Sequence, residues 1–276
     1  MSNLKLYTRG WRNSFERFLG GVSEELIVVT PYMRLDEANF TADCLRKDVR
    51  VRVLTDINDT ALTSGALQAE AVMRLATISS HSSAKNLPRL HAKIYVADEK
   101  RAIISSANLT KGGLDNNFEY GVEIATNAVV ANIRADISEY EKIGATVTIE
   151  QLQKIACAAE TVHSKKTSSK KSKEEQILLQ ECLRLRVGER APTAIFADAL
   201  RYILLRSGGV GLTHKQIIYS VEEIYPDLCT EGNRIINDVR YGKLWKHHLR
   251  NAQQSLKKRG EIEYSAEKRW RLKNKK

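Results

Sequence analysis

The stretch Leu90-His91-Ala92-Lys93-Ile94-Tyr95-Val96-Ala97-Asp98, followed after six residues by Ser105-Ser106-Ala107-Asn108, decides the reading of this 276-residue chain. Leu90 to Ala97 and Arg101 to Ala107 have the composition of strands, and the polar turn Asp98-Glu99-Lys100 between them predicts a hairpin. Residues two apart on a strand share a face. Leu90, Ala92, Ile94 and Val96 are therefore expected to form one apolar face while His91 and Lys93 project together from the other. Ser106 and Asn108 share a face of the next strand in the same way. The hairpin thus gathers an imidazole, an ammonium, a hydroxyl and an amide around one small volume, a set that suits a tetrahedral phosphate.

Outward from the hairpin, the apolar run Glu25 to Thr30 predicts a buried strand, followed by a loop at Pro31 to Leu35 and a helix to about Lys47. Val49 to Leu54 repeats the strand pattern, and Gly65 to Leu75 is helix-compatible. The Ser-rich segment Ser79 to Pro88 is expected to be a long loop bordering a site. Phe118 to Ala125 predicts another strand and Val129 to Ile143 another helix. Strands alternating with helices, plus one hairpin, define an α/β class with a mixed sheet flanked by helices.

The residue types explain the expected chemistry. A neutral His91 imidazole can attack phosphorus and form a phosphohistidine, dividing one difficult displacement into two easier ones. Lys93 and Asn108 would donate to the nonbridging oxygens as charge develops on them, and Ser106 could add another donor. Glu119, where it reaches the second ring nitrogen, would fix the histidine tautomer and raise its nucleophilicity. The plainer alternative is a surface hairpin with polar outer residues and Asp98 as a turn former.

His91-x-Lys93-x4-Asp98-x6-Ser105-Ser106-x-Asn108 resembles the HxKx4Dx6GSxN signature of the phospholipase D superfamily, and Glu119 stands at the offset where small bacterial nucleases of that superfamily carry a glutamate. Ser105 replaces the usual glycine, a change expected to tighten the turn without removing a catalytic group. The resemblance implies catalytic roles for His91, Lys93, Ser106 and Asn108, a positioning role for Glu119 and a supporting ion-pair or positioning role for Asp98. It also implies metal-independent chemistry with no cofactor. A complete site in this superfamily uses two such motifs. His163-Ser164-Lys165 repeats the HxK letters, but Lys170 stands where the aspartate belongs. The resemblance therefore implies a homodimer with a composite active site, each subunit supplying one His91.

Between His163 and Lys173 the composition turns to Ser, Thr and Lys, which predicts a basic solvated linker. The expected division is a catalytic domain over residues 1–160, a linker over 161–175 and a second domain over 176–276. In the last region Ala194 to Leu205 and Thr213 to Ile224 read as helices. Thr213 is a candidate N-cap after the break at Gly208-Gly209. A third helix is expected from Gly242 to Arg259, with Trp245, Leu249, Ala252 and Leu256 as an apolar stripe. Lys243, Lys246, His247, Arg250, Gln254 and Lys257 lie off that stripe, as major-groove insertion would require. Glu261 to Tyr264 and Arg269 to Lys273 complete a β-hairpin. The order resembles the winged-helix domains of restriction-type enzymes, and the resemblance adds Arg269 and Arg271 to the expected DNA contacts.

The formal net charge of +11 favours a polyanionic partner. Cys44, Cys157, Cys182 and Cys229 are scattered, with no CxxC pair and no histidine spacing suited to zinc. The sequence lacks a run of roughly 18 apolar residues and an apolar N-terminal core, so a cytoplasmic location without a membrane partner is expected. The functional expectation is a DNA-cleaving phosphodiesterase, set in restriction or phage defence alongside the partner proteins of such a system. The alternatives are a phospholipase or phosphatidyltransferase, and a noncatalytic DNA-binding regulator.

Overall fold

The computed structural model describes residues 4–164, 173–188, 190–232 and 234–273, with nothing described for the side chains of residues 163 and 164. The chain divides into two compact units, Met1–Arg186 and Val187–Lys276.

In the first unit the order is β1 (Leu4–Tyr7), α1 (Arg12–Gly20), β2 (Glu25–Val29), α2 (Leu35–Cys44), β3 (Arg50–Thr55), α3 (Asp59–Thr63) and α4 (Ala69–Ala76). It continues with β4 (Ser83–Asn86), β5 (Ile94–Ala97), β6 (Arg101–Ser105), a π-helical turn (Gly112–Asn116), β7 (Gly121–Ile124), α5 (Asn127–Ile143), β8 (Ala145–Val147), α6 (Ile149–Ser164) and α7 (Lys173–Val187). The eight strands form one sheet in the order β1-β7-β6-β5-β2-β3-β4-β8. β2 runs parallel to β3 and β3 to β4, whereas the other neighbours are antiparallel. This is the mixed sheet flanked by helices that the alternation of elements predicts.

Both faces of the central strands are covered, and every residue of β2 is buried, as in sheets packed on two sides. The main core joins Leu26, Val28, Val51, Val53, Tyr95, Ala97 and Ile103 to apolar residues of α1 to α4, α6 and α7. The opposite face meets α5, where Arg52 pairs with Glu141 and Arg134 with Glu25. Glu25 is 4% exposed. Its burial would raise the carboxyl pKa, but Arg52, Arg134 and Arg50 outweigh that and lower it.

The structure changes several expectations. Leu90 to Lys93 lie outside β5, which begins only at Ile94. The face of His91 and Lys93 runs into Tyr95 and Ala97 of the main core, and the alternate residue Val96 is buried too. The simple division into an apolar and a polar face fails because this strand is central in the sheet. The Ser79 to Pro88 segment contains β4, paired with both β3 and β8. Its pattern is hard to read because one of its two buried side chains is Asn86, whose Oδ1 accepts from Ile57 N at 2.8 Å. Of the expected linker 161–175, residues 165–172 lie outside the described residues. The division between units comes after it, because Leu178, Cys182 and Leu185 of α7 belong to the first core.

The second unit comprises α8 (Pro192–Arg206), α9 (His214–Ile224), a short hairpin of β9 (Ile235–Ile236) and β10 (Val239–Arg240), α10 (Trp245–Lys258), and a hairpin of β11 (Ile262–Tyr264) and β12 (Trp270–Leu272). Thr213 caps α9 in a reciprocal box with Gln216. Leu212 bridges Trp270 antiparallel. Gly211 makes that approach possible: at φ +75° it sits where a Cβ would lie 2.6 Å from the Trp270 carbonyl oxygen. Trp245, Leu249, Ala252 and Leu256 of α10 are buried as predicted, and Phe196 of α8 packs on Trp245 with ring centroids 6.2 Å apart.

Candidate functional site

The site residues collect where β2 and β3 end and β5 begins. β5 runs antiparallel to β2 with Val29 opposite Ile94, so His91 and Lys93 rise beside Thr30. Ser105 N donates to Lys93 O at 3.1 Å, extending the β5–β6 pairing to the foot of the site. The Ser105 hydroxyl accepts from Ala107 N at 2.8 Å and turns the chain that carries Ser106 and Asn108. The residue standing in place of the family's glycine thus ties the turn with its own side chain.

His91 is exposed and Lys93 is only 7% exposed. The Lys93 ammonium lies 3.2 Å from both ring nitrogens of His91 and donates to the His91 carbonyl at 2.7 Å. Burial lowers the Lys93 pKa, opposed by the negative charge of Glu119. A desolvated cation beside an imidazole favours an anion whose oxygens can take the ammonium's donors.

Asn108 is pinned from several sides. Leu109 N donates to Tyr32 O at 3.2 Å and Arg34 N to Leu109 O at 3.0 Å, while Thr110 N donates to Asn108 O at 2.8 Å. The π-helical turn presses on the same peptide: a Cβ on Gly113 would stand 2.3 Å from Asn108 O. Trp11 holds that turn through Nε1 to Gly113 O at 2.9 Å. Beneath the side chain, the fully buried Thr30 hydroxyl shares its one proton between Asn108 Oδ1 at 3.2 Å and Tyr32 O at 3.1 Å. Tyr95, also fully buried, donates to Ala107 O at 3.2 Å.

Glu119 stands differently from the expectation. Its carboxylate accepts from the Ser106 hydroxyl and, at 3.1 Å, from Asn117 Nδ2, rather than from the His91 ring. Ser106 in turn accepts from Tyr120 N at 3.1 Å. The reason is local, since the segment entering β7 runs beside the end of β6 and puts Ser106 nearest to Glu119.

The structure does not bring Asp98 to this cluster. It lies beyond the far end of β5, seven residues from His91, in the left-handed conformation at φ 55°. Its carboxylate accepts from the Ser23 hydroxyl at 2.7 Å, from Glu24 N at 2.8 Å and from Glu25 N at 3.0 Å. Burial works against its ionisation, but these donors prevail and hold the pKa at about 2. Asp98 anchors the hairpin turn to the start of β2. Sequence spacing cannot separate such an anchor from a site residue, because both recur at a constant offset from the histidine.

In the second unit Lys243, Lys246, His247, Arg250, Gln254 and Lys257 are exposed, all but Lys243 on α10. Arg269 and Arg271 are not freely presented. Arg271 pairs with Glu263 across the hairpin at 2.7 Å, and Arg269 donates to Gly211 O at 3.0 Å. Thr30, Tyr95, Trp11 and Gly113 support the site from outside the motif residues. Of these, Thr30 had a legible signal: it is a hydroxyl residue closing an apolar strand run.

Residues 17–140 match the family model described as cardiolipin synthase, PLD-like domain. Residues 17–140 thus carry a phospholipase D-like domain, and the matched region contains the whole candidate cluster. Among solved structures it is similar to NucT from Helicobacter pylori, with a TM-score of 0.44 and 12% identity over 52% of this chain and 98% of that one. Nuc from Salmonella typhimurium, a phospholipase D family member, gives a TM-score of 0.43 and 13% identity over 52% and 98%. A phosphatidylserine synthase from Haemophilus influenzae gives 0.48 and 15% over 59% and 45%. No curated protein matches the chain. Among the described residues no helix is long and apolar enough to cross a membrane.

Proposed function

We propose that this protein is a nuclease that hydrolyses DNA phosphodiester bonds through a phosphohistidine on His91. The observation that carries the reading is the buried Lys93 ammonium 3.2 Å from both His91 ring nitrogens. A phosphodiester entering there meets its nucleophile and its charge partner together. The imidazole lone pair forms a bond to phosphorus, the P–O bond to the leaving group breaks, and the departing oxygen takes a proton from the imidazolium of a second copy's His91. Water then attacks phosphorus with that second imidazole taking its proton, and the P–N bond breaks to free His91. Lys93 and Asn108 stabilise the charge on the nonbridging oxygens in both steps. Ser106 borders the site with its one proton given to Glu119, and would donate to the substrate only by turning from that carboxylate.

The homodimer follows from the need for two imidazoles where each chain offers one motif. A row of exposed apolar side chains beside the site supports it. Leu6, Val122 and Ile104 are cross-strand neighbours, and Leu6, Tyr120 and Phe118 are 60%, 61% and 89% exposed, an apolar surface of a kind that marks interfaces. The winged-helix reading of the second unit is supported by the order of its elements, the Leu212–Trp270 bridge and the basic exposed side of α10. That side would enter the major groove. A role in restriction or phage defence fits the pairing of a cutting and a DNA-reading module.

The test is cleavage of plasmid and oligonucleotide DNA by the full chain in chelator. Wild type cuts, while His91→Ala abolishes cutting and retains DNA affinity; a His91→Ala protein that still cuts overturns the assignment. An acid-labile, alkali-stable phosphorylated species trapped on His91 is expected with wild type. The family model's description favours one second reading, lipid phosphodiester chemistry, and turnover of phospholipid vesicles without DNA cleavage would establish it instead.

A further inference from the structure

We infer that Thr30 is a positioning residue for the phosphate site, orienting the Asn108 amide so that its nitrogen, not its oxygen, faces the substrate. The inference rests on the phosphodiesterase reading above. An Asn side chain has two ends of nearly equal shape and opposite chemistry, so one fixed hydrogen bond decides which end is presented. Thr30 Oγ1 donates to Asn108 Oδ1 at 3.2 Å from a residue that is 0% exposed. With Oδ1 held inward, Nδ2 is the end left to donate to a nonbridging oxygen. With the hydroxyl removed the amide can rotate, and Oδ1 facing the phosphate would repel the charge the site must stabilise.

The surroundings make Thr30 a switchable contact rather than a general support. Its backbone is tied independently, with Thr30 N donating to Leu54 O at 3.1 Å. Its other acceptor, Tyr32 O, also receives Leu109 N at 3.2 Å, so loss of the hydroxyl does not orphan that carbonyl. Valine has nearly the shape of threonine, and the neighbour Val29 is itself fully buried. Thr30→Val therefore keeps the shape and removes the hydroxyl with its contacts to Asn108, Tyr32 O and the Tyr95 hydroxyl, the last of which keeps its bond to Ala107 O.

The test is steady-state cleavage of a short DNA oligonucleotide by full-length variants, together with 15N spectra of the Asn108 side-chain amide during titration with inorganic phosphate. Thr30→Val is expected to lower kcat by roughly 10- to 100-fold with KM nearly unchanged, within the range for loss of one preorganised donor. Thr30→Ser retains the hydroxyl and restores most of the rate, whereas Thr30→Ala behaves like Thr30→Val. Thr30→Val adds nothing to Asn108→Ala, because both remove the same interaction. Phosphate shifts the Asn108 amide resonances in wild type and Thr30→Ser but not in Thr30→Val. Wild-type rates and shifts in Thr30→Val, or equal loss in Thr30→Ser, overturn the role of the hydroxyl alone. A wild-type protein that neither cleaves DNA nor shows the phosphate shift removes the reading of the site on which the inference rests.

Discussion

Lys93 shows how a tertiary setting changes what a side chain of a given type is suited to do. Its ammonium is taken out of water at the end of the main core and held against His91, where a charge interacts more strongly than it would in solvent. Lys93→Met is expected to lower kcat by about 100- to 1000-fold, as for other preorganised charge stabilisers, with thermal stability kept or raised because a desolvated cation is removed. Paired kinetic and melting measurements check this. Asp98 is the contrasting case. Its pKa of about 2 lies below the ordinary 3.8, so it adds stability that is complete above the unfolded value and is lost as pH falls through the folded one. Asp98→Asn should therefore cost about 2 kcal/mol at neutral pH, with the two unfolding curves converging between about pH 4 and pH 2. Loss of kcat with unchanged stability would return Asp98 to the site.

Among the elements, the π-helical turn has the clearest mechanical role. Trp11 at the start of α1 holds Gly113 O, and Gly113 presses on the Asn108 peptide with no room for a methyl group. Gly113→Ala is expected to destabilise the fold by about 1–3 kcal/mol through overpacking and to lower kcat beyond what the reduced stability explains, since Asn108 must move. Full activity in a folded Gly113→Ala protein would show that the turn only packs. In the second unit α10 joins a buried apolar stripe to an exposed basic side. Lys246→Ala with Arg250→Ala should weaken DNA binding uniformly across sequences and reduce the salt slope by about two, one for each phosphate no longer neutralised. Arg269 and Arg271 are tied to Gly211 and Glu263, so their substitution should act through the stability of the hairpin more than through affinity.

For the molecule as a whole, each copy carries one histidine motif and therefore half of the proposed site. Subunit exchange between equal amounts of wild type and His91→Ala should leave about a quarter of the activity of the same total amount of wild type, because only dimers with two intact copies work. Half the activity, or an active monomer in sedimentation, would rule out a shared site. The net charge of +11 adds a nonspecific attraction to polyanions on top of any specific contact, so DNA affinity should fall steeply with salt even where cleavage chemistry does not change.

The amino-acid order alone made the class and the cluster of candidate side chains legible. The spacing of His91, Lys93, Ser106 and Asn108 is local, confined to one hairpin, and hairpin geometry is set by short-range sterics and turn chemistry that a sequence displays directly. The stripe of α10 and the Thr213 cap are local for the same reason. Tertiary structure alone decided what comes from distant segments. It put Asp98 at the wrong end of β5 for chemistry, gave Glu119 to Ser106, hid the strand β4 behind a polar pattern, and set Thr30 and Gly113 around Asn108. Each of these depends on which strands become neighbours in an eight-stranded sheet. That choice follows from burying both faces at once and leaves no periodic trace in any single segment.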